Sequence, residues 1–303
     1  MSESVHRDNK ARLFSFIFGR EENKHWTLQL YNAANGTDYS NPDEIEINTI
    51  EEVIYMGMHN DLSFIMHSDL SLYEHQSSYN PNMPVRQLMY LARLYDKYIK
   101  KTSQNIYGEK LMTLPLPKLI VFYNGKDDKS DRVLRLSDSF PEGCDINESD
   151  VEVTVHMVNI RPQYKSHYLE ECKPLAEYSW FIEEIRKNSE SMEPDKAVDK
   201  AIEDMPNNYE IKGFLTGHRA EVVDMCLTEY NEAETMQMFK EEGREEGREE
   251  GIKEGIKEGR KEGKIEGKII ARYEDGMAVE DIAVKTRQTV DFVNDTLKAN
   301  GLL

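Results

Sequence analysis

Little in the chain would brace it from outside or fix it to a membrane. Three cysteines in 303 residues, Cys144, Cys172 and Cys226, are odd in number and far apart, and no Cys-x-x-Cys pair occurs. That excludes a disulfide scaffold and a cysteine-rich zinc site, and it fits a reducing compartment, so a cytoplasmic location is expected. No run approaches the ~20 apolar residues that would span a bilayer. Residues 1–20 carry charges where a signal peptide would hold an unbroken apolar stretch. Neither a membrane partner nor export is expected. Several nucleotide-binding and hydrolase signatures are also missing: there is no Gly-x-Ser-x-Gly, P-loop, Gly-x-Gly-x-x-Gly or His-Glu-x-x-His.

Positive charge is scarce as well, with 38 Lys and Arg against 57 Asp and Glu and a net charge of −19. Residues 240–268 are almost balanced at −1 and residues 269–303 carry −2, which leaves −16 on residues 1–239. An acidic body repels a phosphate backbone at long range. A nucleic-acid role must then rest on a local site and a metal ion. Asp127, Asp128, Asp131, Asp138, Glu142, Asp145, Glu148 and Asp150 crowd one stretch, which reads as a solvated loop.

What is present reads as an α/β domain over 1–163, a helical extension over 164–239, a repeat over 240–268 and a small helical module over 269–303. Leu13, Phe14, Ile17 and Phe18 have helical spacing, Gly19 interrupts them, and Trp26, Leu28, Leu30 and Tyr31 resume the pattern. From Glu44 the texture turns to short alternating runs, Ile45–Ile50, Val53–Met58, Asp61–Met66 and Leu70–Ser78, which fit an antiparallel meander. Pro84 opens a helix with Val85, Leu88, Met89, Leu91, Ala92 and Leu94–Tyr95 as its core stripe. Leu114–Tyr123 reads as a buried strand and Val151–Ile160 as one more. The order α, three β, α, β, β predicts an α/β fold. Helical periodicity then runs from Tyr168 to Lys240, broken at Asn188–Pro194 and at Pro206–Tyr209.

In the repeat, seven glycines from Gly243 to Gly267 recur at every fourth position. Each costs a helix about 1 kcal/mol relative to alanine. Pairs such as Glu245/Arg248 and Glu249/Lys253 return only ~0.2–0.5 kcal/mol each. The segment is either a solvated linker or a helix held by association, and the second case makes a homo-oligomer, by default a two-fold dimer, the expected state. Beyond it, two helical stretches joined by a short turn suggest a helix-turn-helix. The second of them carries Asp291 and Asp295 against Lys298, the wrong sign for a DNA groove, so a helical cap or oligomerisation piece is expected.

One cluster carries chemistry. If His67–Ser68 is a two-residue hairpin loop, Met66 pairs with Asp69, Phe64 with Ser71, Leu62 with Tyr73, and Asp61 comes level with Glu74. Gln76 shares the face of Glu74, and His75 points to the other as a packed residue. Opposed carboxylates repel across a sheet. A cation between them removes the repulsion, and hard oxygen ligands suit Mg²⁺ or Mn²⁺. The spacing by itself fits polar residues on a half-exposed hairpin better than it fits a metal site.

The order of elements, with an acid on the second strand and Glu-x-Gln on the third, resembles the PD-(D/E)xK nuclease superfamily. The text from Glu74-His-Gln-Ser-Ser-Tyr-Asn-Pro-Asn-Met-Pro-Val-Arg86, followed by Pro115-Leu-Pro-Lys-Leu-Ile-Val-Phe-Tyr-Asn-Gly125, is similar to the recombination-promoting nuclease (Rpn), putative-transposase family of bacteria. The glycine repeat is similar to that family's C-termini. The resemblance covers residues 1 to about 125 and, loosely, the tail. It implies a restriction-endonuclease-like core with a mixed central sheet, and Mg²⁺-dependent cleavage of DNA linked to recombination or mobile DNA. Asp61 and Glu74 would hold the metal together with the main-chain carbonyl of His75. Gln76 stands where the superfamily has lysine; it donates a hydrogen bond but carries no charge and is no base. Arg86 could contact a phosphate or be a surface arginine, and Asp8 is an additional acidic candidate. A second function from another class is a nuclease fold with weak or no activity that serves as an assembly module.

Overall fold

A computed structural model of the chain describes residues 13–48, 61–127 and 129–303. The expected strand Val53–Met58 and the acidic candidate Asp8 lie outside the described residues. The chain divides into two units, the first ending at Ala233 and the second running from Glu234 to Leu303.

The first unit begins with the two helical pieces read from the sequence, α1 (Leu13–Phe18) and α2 (Lys24–Asn35). Gly19 ends the first. Its N–H donates to the Ser15 carbonyl at 2.7 Å, and a Cβ there would stand 2.6 Å from the same oxygen. A side chain at this position would collide with the helix it leaves.

A mixed sheet of six strands follows, β1 (Ile45–Ile47), β2 (Leu62–Met66), β3 (Asp69–Gln76), β4 (Leu116–Tyr123), β5 (Arg132–Arg135) and β6 (Thr154–Asn159). Their spatial order is β1-β2-β3-β4-β6-β5. β3, β4 and β6 run parallel, and the outer pairs are antiparallel. The hairpin has the register read from the sequence, with Met66 opposite Asp69, Phe64 opposite Ser71 and Leu62 opposite Tyr73. His67 closes its two-residue loop in the left-handed region at φ 52°. The sequence reading missed β5, whose residues fall inside the supposed acidic loop. Among its four residues only Leu134 is buried. Its strand character comes from backbone pairing with the edge of β6, which leaves no trace in a hydrophobic pattern.

Period-two alternation divides the sheet between two cores. Phe64, Tyr73, Phe122 and Val158 face α1 and α2, while Leu72, Val121, Tyr123 and Met157 face α3 (Met83–Lys101). The buried residues of α3 are Met83, Pro84, Gln87, Tyr90 and Leu94; of the expected stripe Leu94 is buried and Leu88, Leu91 and Tyr95 pack half-buried against the same core, but the rest is not. Val85 and Met89 are exposed, as is Ala92. The expectation followed hydrophobicity, whereas the helix is phased by two polar-tipped residues. Gln87 Nε2 reaches the Ile120 carbonyl at 3.5 Å, and the Tyr90 hydroxyl meets Arg86.

The helical extension is a layer of the first core. α4 (His167–Glu171) packs half-buried Tyr168 and Leu169 against the cluster that holds Phe14 and Phe122. α5 (Lys173–Asn188), α6 (Pro194–Asp204), α7 (Lys212–Gly217) and the start of α8 (Arg219–Glu274) supply Leu175, Tyr178, Phe181, Val198, Ile202, Leu215 and Val222 to the same cluster. Helix breaks fall where the sequence placed them, after Asn188 and after Asp204.

In the second unit the repeat is helical and belongs to α8. α9 (Val279–Thr286) and α10 (Val290–Ala299) fold against the end of α8 around Ile269, Ile282, Ala283, Val293 and Leu297. Thr289 caps α10 by accepting from the Phe292 N–H at 3.2 Å. Among the described residues no helix is long and apolar enough to cross a membrane.

Phe122 is fully buried where β4 meets α1 and α4, whereas Val133 is 43% exposed on β5. Phe122→Ala should lower the unfolding free energy by about 3–5 kcal/mol in chemical denaturation. Val133→Ala should stay within about 0.5 kcal/mol of the parent.

Candidate functional site

Asp61 stands at the entry to β2, one residue before the Leu62–Tyr73 pair, and so comes level with Glu74. The two residues exchange contacts through the main chain. The Asp61 N–H donates to Glu74 Oε1 at 3.3 Å, and the His75 N–H donates to Asp61 Oδ2 at 2.7 Å. Each acid therefore meets the other's strand through a peptide N–H. Both are almost wholly buried, Asp61 at 4% exposure and Glu74 at 1%. Buried carboxylates are tolerated when donors and a cation face them.

The cation beside Glu74 is Arg86. Its Nη2 lies 3.4 Å from Glu74 Oε2 and donates to the Tyr90 hydroxyl at 3.1 Å. The opposition of carboxylates that the sequence reading relieved with a metal ion is thus relieved in part by a guanidinium on the first turns of α3. Burial pushes the Tyr90 hydroxyl up to about 12; the neighbouring Glu74 charge adds to this and Arg86 opposes it. Tyr90 was not singled out from the sequence. A signal existed: Arg86 and Tyr90 are four apart on one helix and share a face with Met83.

Gln76 is 6% exposed, on the same face as Glu74, as the alternation required. Its Nε2 donates to Met83 Sδ at 2.6 Å. Its Oε1 is buried and has no hydrogen-bond partner among the described residues. The amide thus turns its donor away to a weak sulfur acceptor and offers an oxygen. That is the opposite polarity from a lysine at this position. The end of β3 is also clamped. The Asn124 N–H donates to the Gln76 carbonyl at 3.0 Å, and a Cβ on Gly125 would lie 2.5 Å from the Ser77 carbonyl oxygen. Only glycine permits β4 to leave the sheet so close to β3.

His75 points to the other face, as expected. Its ring stacks on Phe14 at 5.7 Å and 13°, stands edge-on to Tyr178, and its Nε2 is 3.2 Å from the Tyr178 hydroxyl. Burial raises that hydroxyl well above the usual tyrosine range. The ring is a packed, hydrogen-bonded one. What His75 brings to the site is its main chain.

Among the described residues no group of three or more His, Cys, Asp and Glu gathers as a metal cluster. Asp61 and Glu74 form a two-carboxylate set, with the Gln76 oxygen and the main-chain carbonyl of His75 close by in sequence. A set of one or two carboxylates completed by water and substrate oxygens is what Mg²⁺ takes, so the donors fit that ion. Set against known protein families, curated proteins and solved structures, the chain matches none.

Two measurements check this electrostatic arrangement. Arg86→Ala strips the cation from a buried carboxylate and should destabilise the fold by about 2–4 kcal/mol. Adding Glu74→Gln should recover part of that loss, because the uncompensated charge is then gone. The second concerns alkaline pH. Tyr90 holds its proton more tightly folded than unfolded, so its contribution to stability is present below pH ~10 and is lost as pH rises toward about 12. Wild type should lose about 2–3 kcal/mol more across that window than Tyr90→Phe.

Proposed function

We propose that the chain is a divalent-metal-dependent DNA endonuclease of the PD-(D/E)xK type, similar to the Rpn putative-transposase family and acting in recombination or on mobile DNA. One observation carries the reading. The acid at the head of β2 is fixed by the N–H of His75, the residue between Glu74 and Gln76 on β3. This is a two-carboxylate pair with Gln76 on the face of Glu74, in a frame where α3 follows the hairpin and a parallel strand follows α3.

In this reading Asp61 and Glu74 hold Mg²⁺ or Mn²⁺, with the His75 carbonyl as a third oxygen. When bound, such an ion acidifies a water and polarises a phosphoryl oxygen. The chain's own contribution is positional. Asp61 is oriented by the His75 N–H, and Gln76 Oε1 can accept a hydrogen bond from a water placed beside Glu74. Arg86, already at the carboxylate rim, is the group that would meet a phosphate oxygen, and its guanidinium suits that partner. Because residues 1–239 carry −16, attraction of DNA falls to this local set and not to the body's field.

A second reading, a catalytically weak nuclease fold used for assembly, has its own support. Arg86 already neutralises Glu74, and the Gln76 amide donor is turned to Met83. Supercoiled plasmid separates the two. Nicking that requires Mg²⁺ or Mn²⁺ and falls at least about a hundredfold in Asp61→Ala, roughly 3 kcal/mol of barrier, supports the nuclease. Gln76→Lys should keep or raise that activity. Cleavage equal in Asp61→Ala sinks it. The metal should also raise the melting temperature of wild type and much less that of Glu74→Ala. A metal shift without cleavage favours the assembly module.

A further inference from the structure

The repeat's face around Ile252 and Ile256 is the strongest feature that the reading above leaves unused. These two β-branched side chains lie one turn apart on α8, each 53% exposed, in a stretch otherwise made of charge and glycine. At 3.6 residues per turn, positions 245, 249, 252, 256, 259 and 263 form one seam, spaced four, three, four, three and four. In sequence the seam reads Glu, Glu, Ile, Ile, Gly, Gly. A Cβ on Gly259 or Gly263 would meet nothing within 4 Å, so these glycines admit no neighbour from the described residues. The acids are at one end of the seam and the small residues at the other.

We infer that α8 pairs with α8 of a second copy of this chain, antiparallel, along this seam. Running the second helix in reverse sets Ile252 against Ile256 and Ile256 against Ile252 at the centre. Glu245 then falls opposite Gly263, so this seam acid meets a site with no side chain. Arg260 and Lys264 of the other copy flank that site. One border of the seam agrees. Arg248 comes beside Glu262 of the second copy, and both residues are exposed. A parallel pair in register fails on the same residues: Glu245 would face Glu245 inside the seam, and Arg248 would face Lys253 of its partner. The antiparallel orientation has one like-charge contact, Lys253 beside Lys253 of the second copy, whereas the parallel one places like charges both inside the seam and along its border. The two apolar rungs per copy make this a weak, concentration- and salt-dependent dimer. It does not depend on the chemistry at Asp61 and Glu74.

The test uses the full chain with Cys144→Ser, which removes the exposed thiol. Chains carrying Ile252→Cys are mixed with chains carrying Ile256→Cys under mild oxidation, and each is also oxidised alone. A disulfide-linked dimer in the mixture, at least tenfold above either variant alone, is the expected result. Equal linkage of each variant alone means a parallel pair and overturns the proposal. No linkage anywhere overturns it too. Sedimentation equilibrium gives an independent reading: Arg248→Glu should weaken the dimer at least tenfold, and adding Glu262→Arg should restore it. The competing occupant, held by Arg260 and Lys264, is duplex DNA. If Arg260→Glu with Lys264→Glu lowers DNA affinity and leaves the mass distribution unchanged, the face belongs to phosphate and not to a second copy.

Discussion

Two carboxylates are placed in the interior of this fold, and the peptide N–H groups that receive them determine much of what surrounds them. A buried acid without donors would be neutralised or expelled. Here the His75 N–H takes Asp61, and the Asp61 N–H takes Glu74. The exchange continues the hairpin one step beyond its last backbone pair, with side chains standing in for a rung of the ladder. It works only if β2 and β3 keep their register, which the two-residue loop at His67 and Ser68 enforces. A slip of one residue would send Glu74 into the face occupied by Phe14 and Phe122. The short loop, the alternation and the acid pair are therefore one constraint.

The same constraint shapes α3. With Glu74 and Gln76 both on its side of the sheet, the helix cannot present a purely apolar stripe. Its inner positions are Met83, Gln87, Tyr90 and Leu94, and Arg86 reaches in from the edge of that stripe. Met83 gives the Gln76 amide a soft partner, and Tyr90 gives the guanidinium an oxygen. The other face of the sheet has no such demands and packs aromatic rings from α1, α5 and both central strands.

What could be read from the sequence was whatever depends on local period and turn chemistry. The register of the hairpin, the opposite facing of His75 and Glu74, the helix breaks at Gly19 and after Asn188, and the turns of the last three helices all follow from such rules. What could not be read depends on tertiary placement. β5 is a strand because β6 lies beside it. Val85 and Met89 look like core residues yet face outward, since the phase of α3 is set by polar tips with partners on the sheet. The pairing of Arg86 with Glu74 needs the angle between α3 and β3, and the direction of the Gln76 amide needs the position of Met83. Neither has a sequence period. The charge of the repeat was legible as a sum, but its meaning lies in its order along one helical seam.

His75 has its ring on one side of the sheet and its N–H at the strand edge that holds Asp61. The ring is wedged between Phe14 of α1 and Tyr178 of α5. Strand β3 thus links the aromatic core on one face to the hydrogen bond that holds Asp61 at its edge. A change in how those two rings pack would tilt the peptide plane before His75 and shift the hydrogen bond that aims Asp61. The packing of Phe14 and Tyr178 is in this way coupled, through one residue, to the geometry of the edge that holds Asp61.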